Sequence, residues 1–146
     1  MSAFLSEKLA VVATIDPDAY GTGTQGSDYV DMTKFNRVLF VVQAGTLGSS
    51  ATLDFKIQEA TSSAGAGVVD LAGKAVTQLT DASTDSDKQA IVEVCANELS
   101  AGFTHVRGVM TIATATSDAG AIALAGVPRY HPASDNDLAS VDEIVA

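Results

Sequence analysis

The chain has 146 residues, 47% of them apolar but only 5% aromatic, with no Trp, and its 18 acidic and 8 basic side chains give a formal net charge of −10. That charge disfavours direct nucleic-acid binding, which needs Lys and Arg to displace condensed counterions, and equally docking on anionic membranes. It favours solubility and contact with surfaces that carry basic patches. The length suits one domain, and the single cysteine, Cys95, leaves neither an intrachain disulfide nor a Cys/His zinc site.

No segment reaches the ~20 apolar residues of a membrane-spanning helix. The start, MSAFLSEKLAVVATI, lacks the basic head, long apolar centre and cleavage site of a secretory signal, so synthesis in the cytoplasm without export by that route is expected. Ala and Val dominate the apolar content. Phe40, Phe55, Phe103, Leu53 and Ile112 are therefore expected to supply much of the burial, each roughly 1.5–3 kcal/mol when fully buried.

Residues 1–7 read as a flexible start. Lys8 to Thr14 is a short strand, and Asp16-Pro17-Asp18 is expected to end it, because proline removes a backbone donor and aspartate favours turns. The glycines of 19–27 mark a loop. With no Lys-Ser/Thr and no helix pattern behind them, Gly21 to Gly26 do not form a phosphate cradle. Asp28 to Met32 forms a second strand. Asn36 to Ala60 carries the strongest signal: Val38 to Val42 is apolar on both faces, and after a small-residue loop a second strand alternates. Leu53, Phe55 and Ile57 point one way there, Thr52, Asp54, Lys56 and Gln58 the other. This hairpin is expected to be scaffold. Val68 to Leu71 and Lys74 to Leu79 are weaker strands, and residues 80–87 form a polar loop. Lys88 to Ala96 is a strand with Ala90, Val92 and Val94 on one face and Ile91, Glu93 and Cys95 on the other; Cys95 is expected to be a small buried hydrophobe. Ala96 to Ala101 is one helical turn or the mouth of a hairpin. Phe103 to Thr114 places Val106, Met110 and Ile112 opposite His105, Arg107 and Thr111, and Ala119 to Val127 closes the set.

Seven or eight short strands spaced by Gly/Ser/Thr/Asp loops, with no long amphipathic helix, imply an all-β chain. A single β-sandwich over residues 1–128 is expected, as an eight-stranded jelly roll with extended terminal arms, a small barrel being the other solution. From Arg129 the pattern gives way to RYHPASDNDLASVDEIVA, an acidic C-terminal arm over 129–146. Val141, Ile144 and Val145 could anchor it on a neighbour, or Ser140 and Glu143 could frame a short capped turn.

Catalytic machinery is not visible. His105 and His131 sit outside any ordered nucleophile context, and Cys95 has no histidine near it in sequence. Asp81, Asp85 and Asp87 are spaced closely enough to supply oxygens to calcium, but the loop lacks the central Gly and trailing Glu of an EF-hand, so a solvated loop is the preferred reading. Three Tyr and five Phe are too few for the aromatic platforms of a glycan cleft. No catalytic, cofactor or metal residue is assigned.

The stretches DMTKFNRVLFVVQAGTLGSSATLDFKIQEATSSAGAG, KAVTQLT, SDKQAIVEV and GFTHVRGVMTIATATSDAGAIALAGVPRYHPAS, within roughly residues 28–134, resemble small structural proteins of tailed phages and prophages. The resemblance implies a virion protein of the head, of the capsid decoration (cement) type, without enzymatic activity. Such a protein binds the capsid exterior, clamps neighbouring subunits of the major capsid protein, and self-associates as a trimer or other cluster on the lattice after synthesis in the host cytoplasm. Another virion part (tail, baseplate or head fibre) is the alternative, and a carbohydrate-binding β-sandwich a more distant one. Under the decoration reading the partner contacts fall on Phe4 and Leu5, on Tyr20 and the 20–27 loop, and on Arg129, Tyr130, His131, Val141 and Ile144 of the arm.

Overall fold

The computed structural model describes residues 3–146. Its strands, in chain order, are β1 (Leu9–Tyr20), β2 (Gly23–Gly26), β3 (Val30–Asp31), β4 (Phe35–Ala44), β5 (Thr52–Ala60), β6 (Val69–Ala75), β7 (Leu79–Thr80), β8 (Gln89–Cys95), β9 (His105–Ala113) and β10 (Ser117–Pro128). Two antiparallel sheets form a sandwich. Sheet A has the order β1-β10-β4-β8, and sheet B the order β2-β9-β5-β6, with the two-residue strands β3 on β9 and β7 on β5. The eight main strands are nested partners: β5 pairs with β6, β4 with β8, β2 with β9 and β1 with β10. A long hairpin rolled up in this way is the jelly roll expected from the strand count.

The core lies between the sheets and is uneven in side-chain size. Val38, Phe40 and Val42 of β4 face Leu53, Phe55 and Ile57 of β5 and Val106, Met110 and Ile112 of β9, all buried. From β1 and β10 come mainly alanines, Ala10, Ala13, Ala121, Ala123 and Ala125. Phe40 and Phe55 meet at 6.1 Å between ring centroids, tilted by 50°, a geometry aromatic pairs favour. Gly108 on β9 makes room for that pair, since a Cβ there would stand 2.5 Å from the Phe55 ring and 3.1 Å from the Phe40 ring.

Glu59 is the one buried carboxylate among the described residues. Its two oxygens accept the Ser100 backbone N–H at 2.8 Å and the Ser100 hydroxyl at 2.5 Å, tying the end of β5 to the loop before β9.

Several expectations are revised. Pro17 does not end the first strand: β1 continues to Tyr20, and the register shift between Ile15 and Asp18 accommodates the proline, as bulges on outer strands do. The glycine-rich stretch is partly strand, because Gly23 to Gly26 pairs with Val109 to Ile112 of β9. The strand over 28–32 shrinks to Val30–Asp31. Phe103 is only half-buried, as is Cys95, which lies on the outward face of β8. Of the expected flexible start, residues 1 and 2 lie outside the described residues, and Leu5–Glu7 form one turn of 3-10 helix.

Candidate docking surface

The C-terminal arm does not leave the domain at once. Its Arg129 N–H donates to the Lys34 carbonyl, and farther on the Ala133 N–H donates to the Glu7 carbonyl and the Asp137 N–H to the Val11 carbonyl. The Val11 N–H in turn donates to Asn136 Oδ1 at 2.9 Å. Hydroxyls of Thr14 and Ser140 meet at 2.9 Å, and Lys34 Nζ lies 3.2 Å from the Asp135 carboxylate. The arm therefore runs beside β1 in the same direction, and Ala133 joins the core cluster. A bare outer strand invites pairing with other chains, so this cover protects β1.

The expected contact residues fall at three places. Phe4, Leu5, Arg129, Tyr130 and His131 meet at the end of sheet A where β1 begins, all of them exposed. Tyr20 lies at the far end of β1, with its hydroxyl donating to the Asp16 carbonyl; burial first, and then the charges of Asp16 and Asp18, raise its phenol above the ordinary value. Half-buried Val141 sits beside Thr14, and Ile144 projects beyond it into solvent. Among the described residues, six of the eleven exposed large apolar side chains belong to these terminal segments: Phe4, Leu5, Tyr130, Leu138, Ile144 and Val145.

The outward faces of the two sheets differ in kind. Sheet B presents polar groups that satisfy one another. Asp70 accepts from Lys56 Nζ at 2.8 Å and from Gln58 Nε2 at 2.9 Å, and these two hydrogen bonds hold its carboxyl below the ordinary range. Arg107 donates to Gln58 Oε1 and stacks over the Tyr29 ring at 5.0 Å, Gln78 reaches Asp54, and Thr24 meets Thr111. Val109 is the apolar exception on β9. Sheet A presents instead two apolar rows in register across its strands. One row is Thr14, Ile122, Val41 and Ile91; the next is Val11, Leu124, Leu39 and Glu93. Ile91 is 63% exposed and Ile122 39%.

The sequence expectation did not include this face. Its signal was the run Val38 to Val42, apolar on both sides, where an antiparallel sheet with one wet face would alternate.

Charges around sheet A are distributed unevenly. At the end where β10 begins, Asp18, Asp87 and Asp118 line an open groove of about 660 Å³. At the opposite end stand Arg37, Lys8 and Arg129. Close by, Lys74 pairs with Glu98 at 2.9 Å, and a hydrogen bond from the Cys95 N–H, followed by that from Lys74, holds the Glu98 carboxyl below its ordinary value.

The aspartate loop is held by backbone donors of its own and of the loop before β5: Asp85 accepts the Thr80 N–H and Asp81 the Ser50 N–H, each at 2.9 Å. Among the described residues no group of three or more His, Cys, Asp or Glu is arranged around a metal position. His105 Nδ1 lies 2.8 Å from the Thr104 hydroxyl.

No protein-family model and no curated protein matches the chain. Among solved structures, the chain is similar to those of infectious bursal disease virus, Gx strain (11% identity, 86% of this chain, 33% of that one, TM-score 0.48) and Gt strain (10%, 86%, 33%, TM-score 0.42). A structure of desmodium yellow mottle tymovirus is also similar (11%, 92% of this chain, 97% of that one, TM-score 0.38). The chain spans about a third of the length of the bursal disease virus chains. These likenesses concern the fold alone, which the strand order already defines.

Proposed function

We propose that the protein is a non-enzymatic virion component that decorates the exterior of a tailed-phage capsid and clamps neighbouring major-capsid subunits. The observation that carries this reading is the concentration of exposed apolar side chains on the terminal segments, six of the eleven in the described residues. Exposed apolar groups gathered on arms mark a protein-contact surface. Many weak contacts repeated over a lattice gain from effective concentration, and arms reaching from a rigid sandwich deliver them to more than one subunit. The wording shared with phage structural proteins points the partner toward the capsid.

The test is binding of purified protein to heads of the encoding phage or prophage that lack it, read by co-sedimentation. Removing residues 142–146, or replacing Tyr130 and Leu138 by Asp, should reduce the bound fraction several-fold with the thermal midpoint unchanged. Heads that take up none of the intact protein would overturn the reading.

A further inference from the structure

We propose that the outward face of sheet A binds a second copy of the chain, about a two-fold axis that runs across the strands through the row Ile122, Val41 and Ile91. This pairing is independent of any capsid role.

The face is apolar where sheet B is polar, and nothing among the described residues covers its centre. Ile91, the residue farthest from the arm, is the most open of the six apolar side chains in the two rows. The tail, at Ser140 to Glu143, lies over the β1 and β10 part of the face, around a groove that also touches Gln43 of β4 and leaves Val41 and Ile91 clear.

Charge selects both the occupant and its orientation. Along the strands, the rows run from Arg37 and Cys95, through Leu39 and Glu93, to Val41 and Ile91, then to Gln43 and Gln89. Asp118, Gly45 and Asp87 follow, joined by backbone hydrogen bonds of 2.7 and 3.0 Å. One end thus carries the cations, Arg37 with Lys8 and Arg129 behind it, with Glu93 and Glu98 lining the same groove as Arg37; Lys34 and Lys74 there are already paired with Asp135 and Glu98. The other end is acidic through Asp16, Asp18, Asp87 and Asp118, against Lys88 alone, with Asp142 and Glu143 of the tail nearby.

A second copy turned about an axis parallel to the strands would set acid on acid. An axis across the strands exchanges the ends. It places Ile91, Val41 and Ile122 against their own counterparts, Glu93 against the second copy's Gln89, and Arg37 against the second copy's Asp87 and Asp118. Such an interface is self-complementary, as a closed two-fold pair requires, and it follows the aligned face-to-face packing of β-sheets.

The size of the face sets the strength. Four strands ~4.8 Å apart and about seven residues of ~3.3 Å give roughly 400 Å² per copy. Standard interfaces use ~800 Å² per partner. The pair is therefore weak in free solution, with a Kd on the order of 100 μM, and is reinforced where copies share a support.

Sedimentation equilibrium of the full chain from about 10 μM to about 1 mM spans that Kd and reads the association directly. The wild type should pass from monomer to dimer. Ile91→Lys should remain monomeric across the range, its fold checked by an unchanged circular dichroism spectrum. Arg37→Asp should weaken the dimer about tenfold, and adding Asp118→Arg to the same chain should restore it, because the two-fold pair then contains the swapped contact twice. A wild type monomeric at about 1 mM, an Ile91→Lys chain that still dimerises, or a charge swap that fails to restore association would each overturn the proposal. Loss of capsid binding by the tail variants above, with dimerisation intact, would separate the two surfaces.

Discussion

Val41 and Ile122 stand side by side in register on the outward face of sheet A, while their chain neighbours Val42 and Ala123 are buried beneath them. The pair shows what the alternation of β4 does: it places one valine against the core and the next against a partner or water. Val42→Thr should therefore cost about 2 kcal/mol, because it buries a hydroxyl among apolar groups. Val41→Thr should stay within about 0.5 kcal/mol. Chemical denaturation of both variants measures the difference.

Gly108 is required by the Phe40–Phe55 pair. A methyl group there would press on both rings. Overpacking of this kind costs typically 1–3 kcal/mol, so Gly108→Ala should lower the unfolding free energy by about that amount. A combined Gly108→Ala and Phe55→Leu chain should recover part of the loss.

Buried Glu59 and exposed Ser100 form a clasp between β5 and the loop before β9. Glu59→Ala leaves the Ser100 N–H and hydroxyl without their acceptors, at about 1–3 kcal/mol. The loss should be visible in thermal unfolding, with faster amide exchange around Ser100.

The arm contributes to the domain as well as to contacts. Deleting 130–146 removes Ala133 from the core, the cover of β1 and the Lys34–Asp135 pair, so the truncated chain should unfold at lower denaturant and aggregate through β1. Deleting only 142–146 should leave stability unchanged. Size-exclusion chromatography and denaturation distinguish the two.

Acid should weaken the fold through depressed carboxylates. Burial pushes Asp31 upward, but the hydroxyl and backbone N–H of Thr33, with the charges of His105 and Lys34, outweigh it and hold the carboxyl below its ordinary value. A depressed folded value means that the stabilisation is fully present above the unfolded value of about 3.9 and is lost as pH falls through the lower folded one. Stability should therefore decline below about pH 4, and Asp31→Asn should flatten that decline. Thermal midpoints between neutral and acid pH test it.

Much of the scaffold was legible because period-2 alternation follows from the pleat itself. The inward set of β5, the opposed faces of β8 and the two sides of β9 stand in the structure as their patterns imply. What the pattern missed lay in long-range pairing. Pro17 and the Gly23–Gly26 stretch carry local signals for a turn and a loop, yet a bulge against β10 and a ladder to β9 keep them in strands. The arm's return along β1 depends on backbone hydrogen bonds that leave no mark on hydrophobicity. The apolar outward face of sheet A was present in Val38 to Val42 and in Ile91, but it acquires meaning only once the register sets Ile122, Val41 and Ile91 in one row.

The most direct measurement of the central claim is electron cryomicroscopy of virions from the encoding phage or prophage. The account predicts a jelly-roll density matching this chain on the outer surface of the head, repeated across the lattice, with the terminal segments reaching onto major-capsid subunits. Heads whose exterior carries no such density, or a density confined to the tail, would contradict it.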